Sequence, residues 1–379
     1  MPSASWITVT AEANAQTELN WQGLDPKLGP FVDPRFIQGL INCGCVGGDS
    51  GWHFDPVILG DDSAPQAIAL AWIKHHSHGE FVFDWHWARA AHGAGLNWYP
   101  KLLVAAPFSP ITGPRLIGAD GCPDTAQRLI QALTEHGRKR QVSSIGINFC
   151  RPDEAAALSR AGWLMRHDYQ FHWPNRGYRT FDDFLSQLQR KPRKNIRAER
   201  RRVEQEGWQI SWKNGAQMTE SDLALITHCY LMTFARYGNM PMLNQAFFTH
   251  CAEQFGEQFL VCLASPGDDQ PAQAAAIFWR DQHRLYGRYW GSLVETRDLH
   301  FELCYYQGIE YCIRHGLSAF EPGAQGEHKI RRGFLPQKTH SAHYIRHPGM
   351  RQAITHALQH EAQALAQYRE QLRSLEPYQ

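Results

Sequence analysis

A repeated segment constrains the fold of this 379-residue chain more than any other feature of its sequence. Asp61–Trp72 and Asp268–Trp279 lie at a constant offset of 207 residues, and six of their twelve positions are identical. The identical pairs are Asp61/Asp268, Asp62/Asp269, Gln66/Gln273, Ala67/Ala274, Ala69/Ala276 and Trp72/Trp279. The repeat predicts two copies of one α/β unit, with Ala67–Ile73 and Ala274–Trp279 at equivalent strands. A chain of this length is expected to form about two domains.

The surroundings of the two segments strengthen this prediction. A short apolar strand precedes each segment, at Pro56–Leu59 and at Leu260–Ala264. A polar turn then leads into an aromatic strand, at Phe81–Trp87 in the first copy and at Leu285–Trp290 in the second. The same meander of three strands is therefore predicted twice.

Composition and charge exclude several classes of protein. The chain has 38 Lys and Arg against 37 Asp and Glu, so its net charge is +1 and any polyanion site must be local. Its nine cysteines include no CxxC pair, which favours small buried hydrophobes in a reducing compartment over metal ligands. Met1–Thr17 has neither the basic nor the apolar region of a signal peptide, and no apolar run approaches the length that spans a bilayer. We expect a cytoplasmic protein without a metal site.

A strongly basic segment separates the two copies. Arg190–Arg202 contains eight basic residues and one acidic residue, Glu199, a local charge of +7. On a helix, i, i+4, i+7 and i+8 positions share a face, and guanidiniums there suit phosphates or carboxylates. The predicted polyanion-binding residues are Arg193, Arg197, Arg200 and Arg201. The alternative is a solvated helix partly paired with acids.

The aromatic strand of the second copy carries a possible ligand-binding face. Strand alternation predicts that Tyr286, Arg288 and Trp290 share one face, where an Arg between two aromatics would suit a flat or anionic ligand. The alternative is a structural Arg stacked between rings. Glu302 lies in an apolar helix, one turn from Tyr305 and Tyr306. Its carboxyl group needs a partner, either a tyrosine hydroxyl or a substrate.

The glycine-rich run after the next strand, Phe320–Phe334, is the strongest candidate for a site. It reads FEPGAQGEHKIRRGF, and its glycines permit close approach of the backbone. Glu327 or His328 could act as a base, and cations could stabilise an oxyanion. The cations are Lys329, Arg331 and Arg332, and Glu321 and Gln325 are further candidates for substrate contacts. The alternative is an ordinary polar surface loop. The chain has no P-loop, Rossmann fingerprint, HExxH or GxSxG motif.

Long strings of the sequence resemble the FemAB-like proteins of the GNAT acyltransferase superfamily. The resemblance covers about residues 30–375. The strings are GEFVFDWHWA (Gly79–Ala88), YPKLLVAAPFSPITGPRL (Tyr99–Leu116), RKPRKNIRAERR (Arg190–Arg201), LYGRYWG (Leu285–Gly291), LHFELCYYQGIEYC (Leu299–Cys312) and FEPGAQGEHKIRRGF (Phe320–Phe334).

The resemblance implies the fold class. We expect an α/β protein with two tandem GNAT-like units whose mixed sheets are mostly antiparallel, joined by a basic helical segment. The expected boundaries are 1–175 for the first unit, 176–207 for the basic connector, and 208–379 for the second unit with its C-terminal helix. Fem ligases have a longer helical arm between their units. They also carry a Phe-Lys-x-Gly-Phe-Gly-like element, to which Ile330–Phe334 is similar, with Arg331 at the Lys position.

The resemblance also implies a reaction. Fem ligases transfer an aminoacyl group from aminoacyl-tRNA to an amine of a peptidoglycan precursor. The first hypothesis is therefore an N-acyltransferase, preferably an aminoacyltransferase, without a tightly bound cofactor. Its catalytic residues would be Glu327, His328, Lys329 and Arg332, and its substrate contacts would be Tyr286, Arg288, Trp290, Glu302, Glu321, Gln325 and Arg331. tRNA or a phosphate-bearing precursor would bind the basic helix.

Two other hypotheses remain open. An acyl-CoA could replace the aminoacyl-tRNA as donor, because ordinary GNAT enzymes bind the pyrophosphate on a [QR]-x-x-G-x-[GA] loop that opens a helix. Arg115–Asp120 nearly matches this pattern in the first copy, whereas the second copy has no glycine between Gly291 and Phe301. The third hypothesis is a non-catalytic protein that recognises a glycan-peptide or RNA.

Overall fold

The computed structural model describes residues 6–7, 21–25, 28–61, 64–268, 270–324 and 326–378. Internal contacts divide the chain into two compact units. Unit 1 contains Met1–Asp168 and Lys338–Tyr368, and unit 2 contains Tyr169–Gln337 and Arg369–Gln379. This division differs from the expected boundaries, because the basic segment belongs to unit 2 and the last strand and most of the last helix belong to unit 1.

Within its described residues, the first half of the chain forms eight strands and four α-helices. The strands are β1 (Trp6–Ile7), β2 (Trp52–Phe54), β3 (Val57–Asp61), β4 (Ala64–Ala69), β5 (Ala71–Lys74), β6 (Lys101–Val104), β7 (Ser144–Ile147) and β8 (Leu164–Pro174). The helices are α1 (Pro34–Asn42), α2 (Trp85–Gly93), α3 (Pro123–Lys139) and α4 (Pro152–Arg160).

The second half contains the basic helix and the elements around the glycine-rich run. The helices are α5 (Phe181–Ser186), α6 (Arg190–Gln205), α7 (Glu220–Arg236), α8 (Gln245–Phe255), α9 (Leu299–Phe301), α10 (Gln307–Arg314) and α11 (Pro348–Arg373), with a π-turn (Glu302–Tyr306) between α9 and α10. The strands are β9 (Gln209–Asn214), β10 (Phe259–Ser265), β11 (Ala274–Arg280), β12 (Arg284–Ser292), β13 (Ala319–Glu321) and β14 (Leu335–Ile345).

The sheets of the two units share one pattern of pairing. In unit 1, β5 pairs antiparallel with β6, β6 parallel with β7, and β7 antiparallel with β14. In unit 2, β11 pairs antiparallel with β12, β12 parallel with β13, and β13 antiparallel with β8. A helix crosses over between the parallel strands in both units, as parallel pairing requires. The expected class of tandem GNAT-like α/β units with mostly antiparallel sheets is confirmed.

The sequence repeat marks equivalent strands in this pattern. Trp72 lies in β5 and Trp279 in β11, each the strand before the parallel pair. Both indole rings are almost fully buried. The predicted strand Ala67–Ile73 is nevertheless divided at Leu70, and its first half, β4, pairs in a small separate sheet with β3. Asp62 and Asp269 lie outside the described residues.

The predicted aromatic strand Phe81–Trp87 is wrong. The chain bends through this segment and α2 begins at Trp85. The cause is tertiary, because the buried Asp84 carboxylate accepts hydrogen bonds from Lys101 Nζ at 2.6 Å and from Trp98 Nε1 at 2.8 Å. These two hydrogen bonds fix the Asp84 side chain in the interior, and such tertiary contacts outweigh the strand preference of the local sequence.

Candidate functional site

The glycine-rich run turns sharply after β13 and then forms a 3₁₀ helix, Glu327–Arg332. Gly326 has φ +114°, and a Cβ atom there would lie 2.3 Å from Cε1 of His328. Gly333 ends the helix with φ +92°, where a Cβ atom would lie 2.7 Å from the Phe184 ring. Both positions therefore require glycine, and the turn places the polar side chains of the 3₁₀ helix against α6.

A cavity of about 320 Å³ lies between this 3₁₀ helix and α6 within unit 2. It brings together three of the four predicted catalytic residues and one predicted substrate contact. Its lining residues are Glu327, His328, Arg331, Arg332, Asn195, Ile196, Glu199 and Leu375. The predicted contact Gln325 lies outside the described residues.

Glu199 is a site residue that the sequence analysis missed. The Tyr306 hydroxyl donates to Oε2 of Glu199, and Arg332 Nη2 donates to Oε1 at 2.9 Å. Arg332 Nε also donates to the Tyr306 hydroxyl at 2.9 Å, which closes a three-residue network. The guanidinium carbon of Arg332 lies 3.6 Å from the centroid of the Phe301 ring. In the sequence, the only feature that distinguished Glu199 was that it is a single acidic residue within the basic run of α6.

The environment of His328 favours a neutral imidazole. Partial burial, together with the positive charges of Arg332 and Lys329, lowers the pKa of His328 below its ordinary value. Nε2 of the ring lies 2.9 Å from the Tyr305 hydroxyl. A neutral, oriented imidazole at the wall of a cavity can accept a proton at pH 7.

Lys329 does not line this cavity. Its side chain is buried, and its Nζ donates to the carbonyl oxygen of Gly323 at 2.7 Å. Burial lowers the pKa of Lys329 to about 7, and the charge of Arg288 acts in the same direction. The amine is therefore only partly charged at neutral pH, which weakens the predicted role of Lys329 as a stabilising cation.

A β-bulge breaks the predicted alternation of β12. Phe278 pairs with Gly287 and Ile277 pairs with Tyr289, so Arg288 is an extra residue in β12. The bulge shifts the phase of the strand and places Tyr286 and Trp290 on opposite faces. Trp290 consequently packs near His300, at 5.2 Å between ring centroids, whereas the Tyr286 hydroxyl donates to Asp281. The prediction of one face with Tyr286, Arg288 and Trp290 is wrong.

Glu302 and Glu321 hold internal ion pairs. Glu302 accepts from Arg200 Nε at 3.2 Å and from Gln307 Nε2 at 2.8 Å, so its partner is neither tyrosine hydroxyl that the sequence suggested. Glu321 accepts from Arg284 Nη1 at 2.6 Å. Both carboxyl groups are almost completely buried, which fits a structural role better than direct substrate contact.

The basic helix presents a different face from the predicted one. Arg200 is turned inward against Glu302 and Glu310, and its side chain is 28% exposed. It therefore does not share one exposed face with Arg193, Arg197 and Arg201. The exposed basic face instead follows an i, i+4, i+7 and i+11 spacing and consists of Arg190, Lys194, Arg197 and Arg201. Arg197 also makes an exposed ion pair with Asp182 at 3.0 Å.

The loop that resembles a pyrophosphate-binding motif in unit 1 is already occupied by a side chain. Oε1 of the buried Glu154 carboxyl group accepts the backbone N–H groups of Arg115 and Leu116 at 2.7 and 2.6 Å. Oε2 accepts the N–H of Arg151 at 2.9 Å. The guanidinium of Arg115 is buried and donates to carbonyl oxygens of Asn148 and others. These donors are therefore unavailable to a phosphate.

Unit 1 also contains a buried cluster of charged side chains. Lys101 Nζ donates to Glu80 Oε2 at 2.8 Å and to Asp84 Oδ2 at 2.6 Å. Lys74 Nζ lies 3.9 Å from Glu80 Oε1 and 3.8 Å from the centroid of the Trp52 ring. Burial raises the pKa of Glu80 to about 7 and lowers the pKa of Lys74 to about 7. The cluster ties the segment before α2 to β5 and β6.

Among the described residues, no group of three or more His, Cys, Asp or Glu side chains is arranged to hold a metal ion. Within the same part of the chain, no helix has the length and apolar character needed to cross a bilayer.

Several solved structures share the fold of this chain. FemX has a TM-score of 0.54 at 12% identity, covering 93% of this chain and 100% of FemX. The C-terminal domain of a putative lysylphosphatidylglycerol synthetase from Agrobacterium fabrum has a TM-score of 0.55 at 9% identity, covering 92% of this chain and 96% of that domain. L-PGS from Bacillus licheniformis has a TM-score of 0.52 at 10% identity, covering 85% of this chain and 94% of L-PGS. At these identities the likeness concerns the fold.

Sequence similarity to one family model extends over nearly the whole chain. No curated protein sequence matches it at a significant level. The sequence model of the FemAB-like family, described as peptidoglycan biosynthesis/recognition, matches residues 13–379. This chain therefore belongs to the FemAB-like family.

Proposed function

We propose that this protein is an aminoacyltransferase that moves an aminoacyl group from aminoacyl-tRNA to an amine of a peptide or cell-wall precursor. The observation that carries the proposal is the cavity between the 3₁₀ helix and α6, because it combines Glu327, His328, Arg331 and Arg332. Membership of the FemAB-like family supports the same class of reaction. The fold shared with FemX is consistent with it.

The proposed chemistry assigns roles to four side chains of the 3₁₀ helix that forms one wall of the cavity. The neutral imidazole of His328 takes a proton from the acceptor ammonium, and Glu327 holds that ammonium beside it. The freed amine attacks the ester carbonyl of the donor and forms a tetrahedral oxyanion. The guanidiniums of Arg331 and Arg332 stabilise this oxyanion until the ester bond breaks and the ribose hydroxyl of the tRNA leaves with a proton.

The remaining predicted residues support the cavity in this proposal. Arg288 lies close enough to Lys329 to lower the pKa of that amine, and Glu302 and Arg200 hold α6 against the π-turn. Of Tyr286, Arg288 and Trp290 in β12, Trp290 is the one whose ring lies near His300 of α9. We propose that Trp290 walls the acceptor side, while the internally paired Tyr286 and Glu321 act through their neighbours.

Two observations favour aminoacyl-tRNA over acyl-CoA as the donor. In unit 1 the Glu154 carboxyl group uses the backbone donors that a pyrophosphate would need. In unit 2 the helical segment that starts at Leu299 has Asp298 at its N-cap position, and this carboxylate pairs with Arg202 at 2.6 Å. A carboxylate at that place disfavours a second anion.

Ligand stabilisation tests the choice of donor. At about 100 times its dissociation constant, aminoacyl-tRNA is expected to stabilise the protein by about 2.7 kcal/mol. Acetyl-CoA is expected to leave the unfolding midpoint in urea unchanged. Transfer of a radiolabelled amino acid from tRNA to a peptidoglycan precursor pentapeptide would establish turnover. Stabilisation by acetyl-CoA alone, or tRNA binding without transfer to any amine, would contradict the proposal.

The exposed basic face is expected to bind the phosphate backbone of the tRNA. Lys194→Glu with Arg201→Glu should weaken tRNA binding and reduce the slope of log K against log salt by about 2, because two phosphate contacts are lost. Filter binding between low and moderate salt measures both quantities. The matched control, Lys139→Glu with Arg160→Glu, changes the net charge equally on exposed positions of α3 and α4. An equal loss in both variants would mean that only net charge matters.

A further inference from the structure

Side chains of the π-turn Glu302–Tyr306 contact both α6 and the 3₁₀ helix, the two elements on either side of the cavity. The turn is defined by the backbone N–H of Gln307, which donates to the carbonyl oxygen of Glu302 five residues earlier. Such turns insert one residue into a helix and frequently occur at functional sites. The side chains of Glu302, Tyr305 and Tyr306 are all almost fully buried.

Each of these three side chains has a different partner. Glu302 binds Arg200 of α6. Tyr306 binds Glu199 of α6 and Arg332 of the 3₁₀ helix. The Tyr305 hydroxyl contacts Nε2 of His328. The π-turn therefore sets the distance between α6 and the 3₁₀ helix, which are the two walls of the cavity.

The contact between Tyr305 and His328 is the one that bears directly on the proton transfer. Burial raises the pKa of Tyr305 well above its ordinary value, so the phenol stays protonated over the neutral range. A neutral imidazole has one N–H and one lone pair, and its partner decides which nitrogen carries the hydrogen. If Nε2–H donates to the phenol oxygen, Nδ1 keeps the lone pair.

We propose that Tyr305 is the positioning residue of the base: it accepts the Nε2 hydrogen of His328 and so leaves Nδ1 as the basic nitrogen. This inference rests on the proposed function and assigns to Tyr305 a role that the sequence did not. The other groups facing His328 are His300 of the helical segment that precedes the π-turn, Lys329 and Arg332 of the 3₁₀ helix, and Glu199 across the cavity. None of them contacts Nε2 within the described residues.

Tyr305→Phe tests the inference by kinetics. The variant should lose about tenfold in kcat with little change in KM, because only part of the imidazole then holds the productive tautomer. The acid limb of its pH–rate profile should move to lower pH, since the lost acceptor had stabilised the protonated ring. Tyr306→Phe should lower kcat through Arg332 without moving that limb. The matched control is Tyr311→Phe in α10, which removes a hydroxyl that accepts a hydrogen bond from Arg280 of β11, and it should leave both kcat and the acid limb unchanged.

A spectroscopic measurement separates this inference from the proposed function. Ring ¹⁵N chemical shifts of His328 report its tautomer whether or not the protein turns over a substrate. The expected result is an Nε2–H tautomer in the unchanged protein and a mixture in Tyr305→Phe. An Nδ1–H tautomer, or the same spectrum and pH profile in both proteins, would overturn the role of Tyr305. Absence of any transfer activity alongside the expected shifts would overturn the proposed function alone.

Discussion

The double variant Glu327→Gln with His328→Asn is expected to lower kcat by about 10²–10⁴-fold, because general-base catalysis contributes about that factor. Both side chains are exposed on the cavity wall, so the loss should occur without unfolding. Single-turnover transfer from charged tRNA measures the rate, and the unfolding midpoint checks the fold. Retained turnover in the double variant would remove both residues as bases.

The pH dependence of the unchanged protein follows from the same base. Because the pKa of His328 is lowered, the imidazole is neutral and active at pH 7. The rate should therefore stay constant as pH falls through the ordinary histidine range, about 6.5, and decrease only below it. His328→Asn should abolish this acid limb. A rate that instead rises through about pH 7 would indicate Lys329, whose pKa is about 7, as the titrating base.

Lys101→Met is expected to destabilise the protein by about 3–5 kcal/mol, the usual cost of removing one partner from a buried ion pair. The variant leaves Glu80 and Asp84 buried without their shared cation. A loss of this size should lower the melting temperature by about 10 °C. Lys139→Met is the matched control, because its exposed i, i+4 pair with Glu135 contributes little.

A compensating variant separates charge from volume in this prediction. Lys101→Met combined with Glu80→Gln and Asp84→Asn removes the uncompensated carboxylates, so part of the lost stability should return. Calorimetry of the three proteins gives the comparison. If the triple variant is less stable than Lys101→Met, hydrogen bonding by Glu80 and Asp84 outweighs their charge. If Lys101→Met melts like the control, the cluster is dispensable.

The local sequence was sufficient to predict those features that depend on residue spacing or on the backbone freedom of glycine. The offset of 207 residues placed Trp72 and Trp279 in equivalent strands, because a buried indole and its small neighbours suit the same position in both sheets. The glycines of Phe320–Phe334 indicated a sharp turn rich in polar groups. The structure places a cavity there, since Gly326 alone leaves room for the His328 ring.

Contacts between segments far apart in the sequence decided the side-chain orientations in β12 and α6 and the partners of Glu199. Alternation alone put Tyr286, Arg288 and Trp290 on one face of β12, but an extra residue between two paired strands reverses the phase beyond it. Helical spacing grouped Arg200 with exposed arginines, although the buried Glu302 and the half-buried Glu310, more than 100 residues away, turn it inward. Glu199 looked like one acid among eight bases until Tyr306 and Arg332 gave it partners.

The sequence by itself determined the repeated α/β unit, the basic helix and the position of the glycine-rich turn, because each depends on periodicity or on backbone freedom within a few residues. Only the tertiary structure decided which strand closes each sheet. β14 pairs with β7 in unit 1, and β8 pairs with β13 in unit 2. Strand pairing depends on which edge a distant segment reaches, and a hydrophobic pattern with period two suits either edge equally well.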